Sequence, residues 1–234
     1  MKMLRLFLLV FSFFALFFLT LYGTKALNAQ TPSNKSSLVI TWKSGSFFPA
    51  NFTGKAPATP FSPIIASVEA VSGGKILNLS RAAISWKIDN KPIGNGAGMK
   101  NVSFRVQKNK GDFHILSVSV SQNDSVSEDS VIIPIYPQII VVELPFKDNT
   151  ISPGVENAIK AVPYFFNIDS IKNISFFWQI NNENKGGGNN DTLILKTGEP
   201  QLQSQETVEI TASAQNNNNP LEFAKSRVWL KISR

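Results

Sequence analysis

Cysteine is absent from this sequence, and histidine occurs once, at His114. The first absence excludes a disulfide scaffold, a thiolate metal site, a cysteine nucleophile and a lipid-modified N-terminal cysteine. The second leaves a Ser-His-Asp triad, a multi-histidine zinc site or a two-histidine iron site without convincing partners. No run of lysine or arginine occurs either. The formal charge is +7, but the first 26 residues supply Lys2, Arg5 and Lys25 and no acid, which leaves 20 basic against 16 acidic side chains. That mild, scattered excess reads as solubilising surface charge, so no nucleic-acid partner is expected. Helical periodicity is missing after residue 30. A protein of this size without disulfides must be held by core packing alone.

The chain opens with Lys2 and Arg5, succeeded by an apolar run from Leu6 to Tyr22 broken only by Ser12 and Thr20. A positive flank before an apolar run is an export signal and places the downstream residues outside the cytoplasm. Two fates stay open. A peptidase could cut after Thr24-Lys25-Ala26 or Leu27-Asn28-Ala29, giving a secreted chain. Or residues 6–22 stay in the membrane as a hydrophobic helix, at the short limit for spanning. Gln30 to Ser37 reads as a short flexible tether.

The rest alternates as strands do. Strand signals fall at Leu38–Trp42, Ile64–Val71, Ala83–Ile88, Val102–Val106, His114–Val120 and Val131–Ile135. They recur at Ile139–Val142, Ala158–Phe166, Ile174–Ile180, Thr192–Leu195, Thr207–Ala214 and Arg227–Ile232. Turn clusters separate them, which points to antiparallel sandwiches. The two series are copies. Ile84-Ser85-Trp86-Lys87-Ile88-Asp89-Asn90 returns as Phe176-Phe177-Trp178-Gln179-Ile180-Asn181-Asn182, an offset of 92 residues. The same offset carries Val118-Ser119-Val120-Ser121 onto Ile210-Thr211-Ala212-Ser213, and an offset of 97 carries Val131, Ile133 and Ile135 onto Val228, Leu230 and Ile232. The expected organisation is all-β: a leader or anchor with tether at residues 1–30, then two tandem domains at 31–137 and 138–234. The connection between them, Pro134-Ile135-Tyr136-Pro137-Gln138, is short and stiffened by its two prolines, so limited bending is expected.

The Trp-x-Ile-Asp/Asn-Asn pattern, a glycine-rich segment and a Val-Ser-Val-Ser strand resemble the immunoglobulin-like and PKD-type β-sandwich modules of exported bacterial surface proteins. Trp42 to Ala58 also resembles the opening of an uncharacterised exported family with an N-terminal hydrophobic segment. Neither copy has the Gly-Asp-Gly turn of PKD domains, so the resemblance favours the immunoglobulin-like form. It implies Trp86 and Trp178 as core aromatics, and no activity.

Candidate sites are few. His114 is expected to be a partly exposed strand residue. Gly94, Gly96 and Gly98, like Gly186 to Gly188, lack the Lys-Ser/Thr of a phosphate loop and read as hairpin turns. Asp124, Glu128 and Asp129 cluster in one loop without the spacing of a calcium loop. Asp148, Glu156 and Asp169 are scattered, so no carboxylate pair for glycoside hydrolysis is marked. Seven Asn-x-Ser/Thr matches reflect a chain rich in those residues. No catalytic residue, metal ligand or cofactor site is expected. The aromatic residues carry more. Adjacent aromatics on a strand cannot both face the core, so one of each pair Phe47-Phe48, Phe165-Phe166 and Phe176-Phe177 should turn outward or into a contact. Phe47, Phe48, Phe52, Tyr164 and Phe165 form the candidate binding surface. The functional expectation is a non-catalytic structural or adhesive envelope module with a protein or glycan partner, or a glycan-binding accessory module.

Overall fold

The structure is a computed structural model that describes residues 36–145, 148–198 and 206–232. The leader and its 6–22 run therefore lie outside the described residues. Among the described residues no helix is long and apolar enough to cross a membrane. The described part from Ser36 onward falls in one compact unit.

The chain is all-β. Its first half runs β1 (Ser37–Ser44), β2 (Pro63–Ser72), β3 (Lys75–Ile76), β4 (Ala83–Ile88), β5 (Lys91–Ala97), β6 (Asn101–Arg105), β7 (Phe113–Gln122) and β8 (Ser125–Pro134). The second runs β9 (Ile139–Glu143), β10 (Thr150–Ile151), β11 (Glu156–Tyr164), β12 (Ile174–Ile180), β13 (Glu183–Gly188), β14 (Thr192–Lys196), β15 (Glu206–Asn216) and β16 (Asn219–Ile232). In the first half, β2 pairs with β1 on one side and with β6 and β3 on the other, facing the sheet β5-β4-β7-β8. In the second, β14-β11-β9 faces a sheet ordered β10-β16-β15-β12-β13. Every long pairing is antiparallel, and the chain passes back and forth between the two sheets of each half. This is the immunoglobulin-like sandwich architecture.

Alternation builds one core inside each sheet pair. Ile64, Ala66, Val68 and Ala70 of β2 meet Ile84, Trp86, Leu116, Val118 and Val120 in the first. Ile159, Ala161, Phe176, Trp178, Ile210, Ala212 and Leu230 fill the second. The tryptophans are equivalent. Trp86 faces Gly94 on one side and Val118 on the other; Trp178 faces Gly186 and Ala212. A register shift comes after each, and each hairpin then turns through left-handed residues, Asp89-Asn90 and Asn181-Asn182. Those turns belong to the Asn-containing two-residue class that matches the twist of the paired strands.

Two sequence readings change. The glycines do not make the hairpin turns. Gly94 and Gly96 lie within β5 and Gly186 to Gly188 within β13, strands that their composition concealed. A Cβ on Gly94 would crowd Met99 at 3.2 Å, whereas one on Gly186 would meet open space. Gly98 needs its freedom, at φ 67° with the Ser80 carbonyl 2.7 Å from where a Cβ would stand, and Gly186 and Gly188 also lie at positive φ, 118° and 139°. Second, the repeat offset is not constant. Val118 is matched in pairing by Ala212, not Ile210, so two residues are gained between the tryptophan strand and β15. An even gain keeps the same face inward, which is why the sequence comparison tolerated the slip. The final strand keeps its offset of 97, because Asp129 opposite Val118 corresponds to Ser226 opposite Ala212. The odd gain is absorbed where the register jumps from Gln215↔Phe223 to Asn216↔Asn219. Pro220-Leu221-Glu222 is thus a bulge, and without it every side chain of β16 would face the wrong way.

Candidate functional site at the joint

The long β1–β2 connection leaves the first sheet pair and reaches the second. The Phe47 amide donates to the Phe166 carbonyl at 2.7 Å, and the Phe165 amide donates to the Phe47 carbonyl at 2.6 Å. Thr59 Oγ1 donates to the Phe165 carbonyl at 3.0 Å, and Asn167 Nδ2 donates to the Pro60 carbonyl at 2.8 Å. The Phe47 side chain packs on the second core. The chain therefore makes a strap of main-chain bonds between its halves.

The strap explains an irregularity. Phe165 lies just past the end of β11 and has φ 66°, a costly conformation for a bulky residue. Its amide and carbonyl are both held by the strap. Because the backbone turns there, alternation fails, and Phe165 and Phe166 are both buried, at 8% and 0% exposure. The expectation that one would turn outward assumed an unbroken strand. On β12, where the strand is regular, Phe176 is buried and Phe177 is exposed.

Phe52 is the hub of the aromatic cluster. Its ring centroid lies 5.4 Å from Phe48, 6.0 Å from Tyr164 and 5.4 Å from Phe165, and Tyr164 lies 5.7 Å from Phe165. These are tilted and edge-on contacts, the arrangements that aromatic quadrupoles favour. Four of the five candidate residues thus converge, while Phe47 points elsewhere. The cluster is first of all a joint; its open side is Phe48. Beside it lies a cavity of about 410 Å³ lined by Lys55, Pro57, Tyr136, Pro137, Ile139 and Phe165. Lys55 Nζ sits 3.5 Å over the Trp42 ring, and partial burial lowers its pKa from the ordinary lysine value.

His114 differs from its expectation. It is buried, because its strand position faces inward at the end of the core. Nδ1 donates to Asp89 Oδ2 at 2.7 Å, while Nε2 accepts from the Gln107 amide at 3.4 Å. Asp89 Oδ1 accepts from the Ile115 amide at 3.0 Å, and Lys108 Nζ lies 2.9 Å from Oδ2. Both imidazole nitrogens are thereby engaged, and the group ties the first hairpin to β7. Partial burial pushes the Asp89 carboxyl up, but the Ile115 amide, Lys108 and His114 outweigh it and hold the pKa at about 2, below the ordinary 3.8. A depressed carboxyl stabilises the fold above its unfolded value and stops doing so as pH falls through the folded one. We expect about 1 to 2 kcal/mol to be lost between about pH 4 and pH 2, after allowance for solvent screening. Thermal melts across that window should fall less steeply for Asp89→Asn than for the parent chain.

The acidic loop resolves into strand and turn. Asn123-Asp124 form the two-residue hairpin turn, whereas Glu128 and Asp129 lie on β8. Among the described residues no three acidic or histidine side chains gather as a metal site. Sequence reasoning missed Asp89 as the partner of His114, and also the Lys55–Trp42 contact. Neither pair shares a local spacing that would reveal it.

No protein-family model matches the chain, and no curated protein matches it. Solved structures show distant likeness. The fibronectin(III)-like modules of Clostridium thermocellum CbhA are 12% identical with a TM-score of 0.30, over 83% of this chain and 93% of theirs. Three N-terminal domains of the bacteriophage RB49 outer capsid protein Hoc are 8% identical with a TM-score of 0.41, over 85% of this chain and 59% of theirs. A Bacteroides ovatus protein, SGBP-B, is 9% identical with a TM-score of 0.24, over 82% of this chain and 47% of its own. At these values no residue role transfers, and the architecture rests on this chain's own strand order.

Proposed function

We infer that the chain is a non-catalytic structural or adhesive module of the cell envelope. In this reading residues 31–137 and 138–234 are tandem immunoglobulin-like domains, held outside the cytoplasmic membrane behind residues 1–30. The observation that supports it is the joint. Paired main-chain bonds through Phe47 and the ring cluster around Phe52 tie the two sheet pairs together, as suits a module that presents fixed surfaces. The same economy appears at His114, whose two nitrogens tie the first hairpin to the β6–β7 connection. The leader pattern of Lys2, Arg5 and residues 6–22 supports an exported, bacterial-type location, with membrane attachment where it is retained. Partners are then an envelope protein or a glycan. A glycan-binding or accessory role is the second reading, favoured by exposed rings on β12 and β16.

The test is fractionation of the full chain, tagged at its C-terminus and expressed in a bacterium. The chain should partition with the envelope, and protease added outside the cytoplasmic membrane should remove the tag. A full-length chain soluble in the cytoplasm would overturn the location. Turnover of a glycan, peptide or ester that one point substitution abolishes would overturn the non-catalytic assignment.

A further inference from the structure

Ala224, Leu230 and Ile232 of β16 fill the second core, so the alternate positions point outward. These are Phe223, Lys225, Arg227, Trp229 and Lys231. Phe223 is 50% exposed and Trp229 54%. Six residues of strand separate them, about 20 Å. A third ring comes from β12. Phe177 shares a row with Ser213 and Lys225, two strands across the same face. Its ring lies down on β13: a Cβ on Gly187 would stand 2.7 Å from Phe177 Cδ1. Glycine at 187 thus lets the ring lie along the sheet rather than project from it.

Polar groups fill the space between the rings. Gln179 lies in the row of Arg227, across a buried Thr211, and Gln215 shares a row with Phe223. Arg227 Nε is 3.1 Å from Glu209 Oε1, so that cation is committed. Among the described residues no carboxylate pairs with Lys225 or Lys231.

We propose that this face binds an acidic polysaccharide laid along β16. The inference rests on the non-catalytic binding role above and names the chemistry of the partner. Flat aromatic faces match the apolar C–H faces of pyranose rings, and the two uncommitted ammonium groups match carboxylates set at intervals along the polymer. The Gln179 and Gln215 amides and the half-buried Ser213 hydroxyl between them suit sugar hydroxyls. The rings and cations are strung along one strand, which fits a chain-like ligand. A phosphodiester strand would ask for a denser row of cations without Glu209 among them. A bilayer would ask for rings that project, and Phe177 lies down.

The experiment uses the purified full chain and affinity electrophoresis through gels containing polygalacturonate, neutral dextran or neither. Polygalacturonate should retard the chain and dextran should not. Trp229→Ala should weaken the interaction at least tenfold. Lys225→Gln with Lys231→Gln should weaken it and flatten its dependence on salt. Thermal melts of each variant should match the parent, as expected for exposed positions. No retardation by polygalacturonate, or equal retardation of parent and variants, would overturn the proposal. So would tighter binding of the parent to oligo(dT) or to anionic phosphatidylglycerol vesicles, lost in the same variants. The assay does not depend on location, so its outcome is separable from that of the fractionation.

Discussion

Replacing Trp86 by alanine is expected to cost about 3 to 5 kcal/mol of folding stability, the range for deleting a large buried aromatic. The indole is fully buried, sits between Gly94 and Val118, and donates through Nε1 to the Met99 carbonyl at 2.9 Å. The substitution removes that packing and strands a carbonyl at the β5–β6 turn. Trp178 occupies the equivalent place, but its Nε1 bond to the Asn190 carbonyl is longer, at 3.4 Å, and it retains 5% exposure. Trp178→Ala should therefore fall in the lower part of the same range. Chemical denaturation of the two variants checks the ordering. Loss of less than about 1 kcal/mol at Trp86 would show that the first core does not depend on its indole.

The strands legible in the sequence were those whose two faces differ. β2, β7 and β12 alternate cleanly, and each lies where its pattern put it. β5 and β13 were hidden because glycine and asparagine dominate them, and such residues signal turns more strongly than edges of sheets. The repeat was visible because two-residue shifts preserve facing; for the same reason, its exact register was not. At the candidate site, composition identified the aromatic residues but not their use. Nothing local to Phe47 shows that its amide and carbonyl bond to residues 118 and 119 positions further along. The left-handed backbone at Phe165 is likewise a product of that contact. The outward series on β16 was open to inspection, since Phe223, Lys225, Arg227, Trp229 and Lys231 alternate with core residues. Starting that strand at Arg227 concealed the first part of it.

Glu222→Ala should be the most damaging change outside the two cores' large apolar side chains, at about 3 kcal/mol or more. Glu222 belongs to the bulge that has no counterpart in the first half, and the bulge turns its carboxylate inward to 2% exposure. Oε2 accepts from the Asn167 amide at 2.8 Å and from Asn216 Nδ2 at 3.2 Å; Oε1 accepts from Asn167 Nδ2 at 2.9 Å and from Asn219 Nδ2 at 3.1 Å. A buried charge is tolerable only when such donors replace its hydration, and here four neutral N–H groups do so. Removing the carboxylate leaves those donors facing a cavity. Glu222→Gln is the sharper probe, because it keeps the volume but turns an NH₂ group toward donors. It should cost nearly as much as alanine, whereas a site held by packing alone would accept glutamine with little loss. The effect should also reach the joint. Asn167 Nδ2 bonds the Pro60 carbonyl as well as Glu222, so loosening the cage frees one tie of the strap. Limited proteolysis should then cut the β1–β2 connection faster in Glu222→Gln than in the parent chain, under conditions where both remain folded. An unchanged cutting rate and a glutamine variant as stable as the parent would show that the bulge carboxylate holds neither its own hairpin nor the joint.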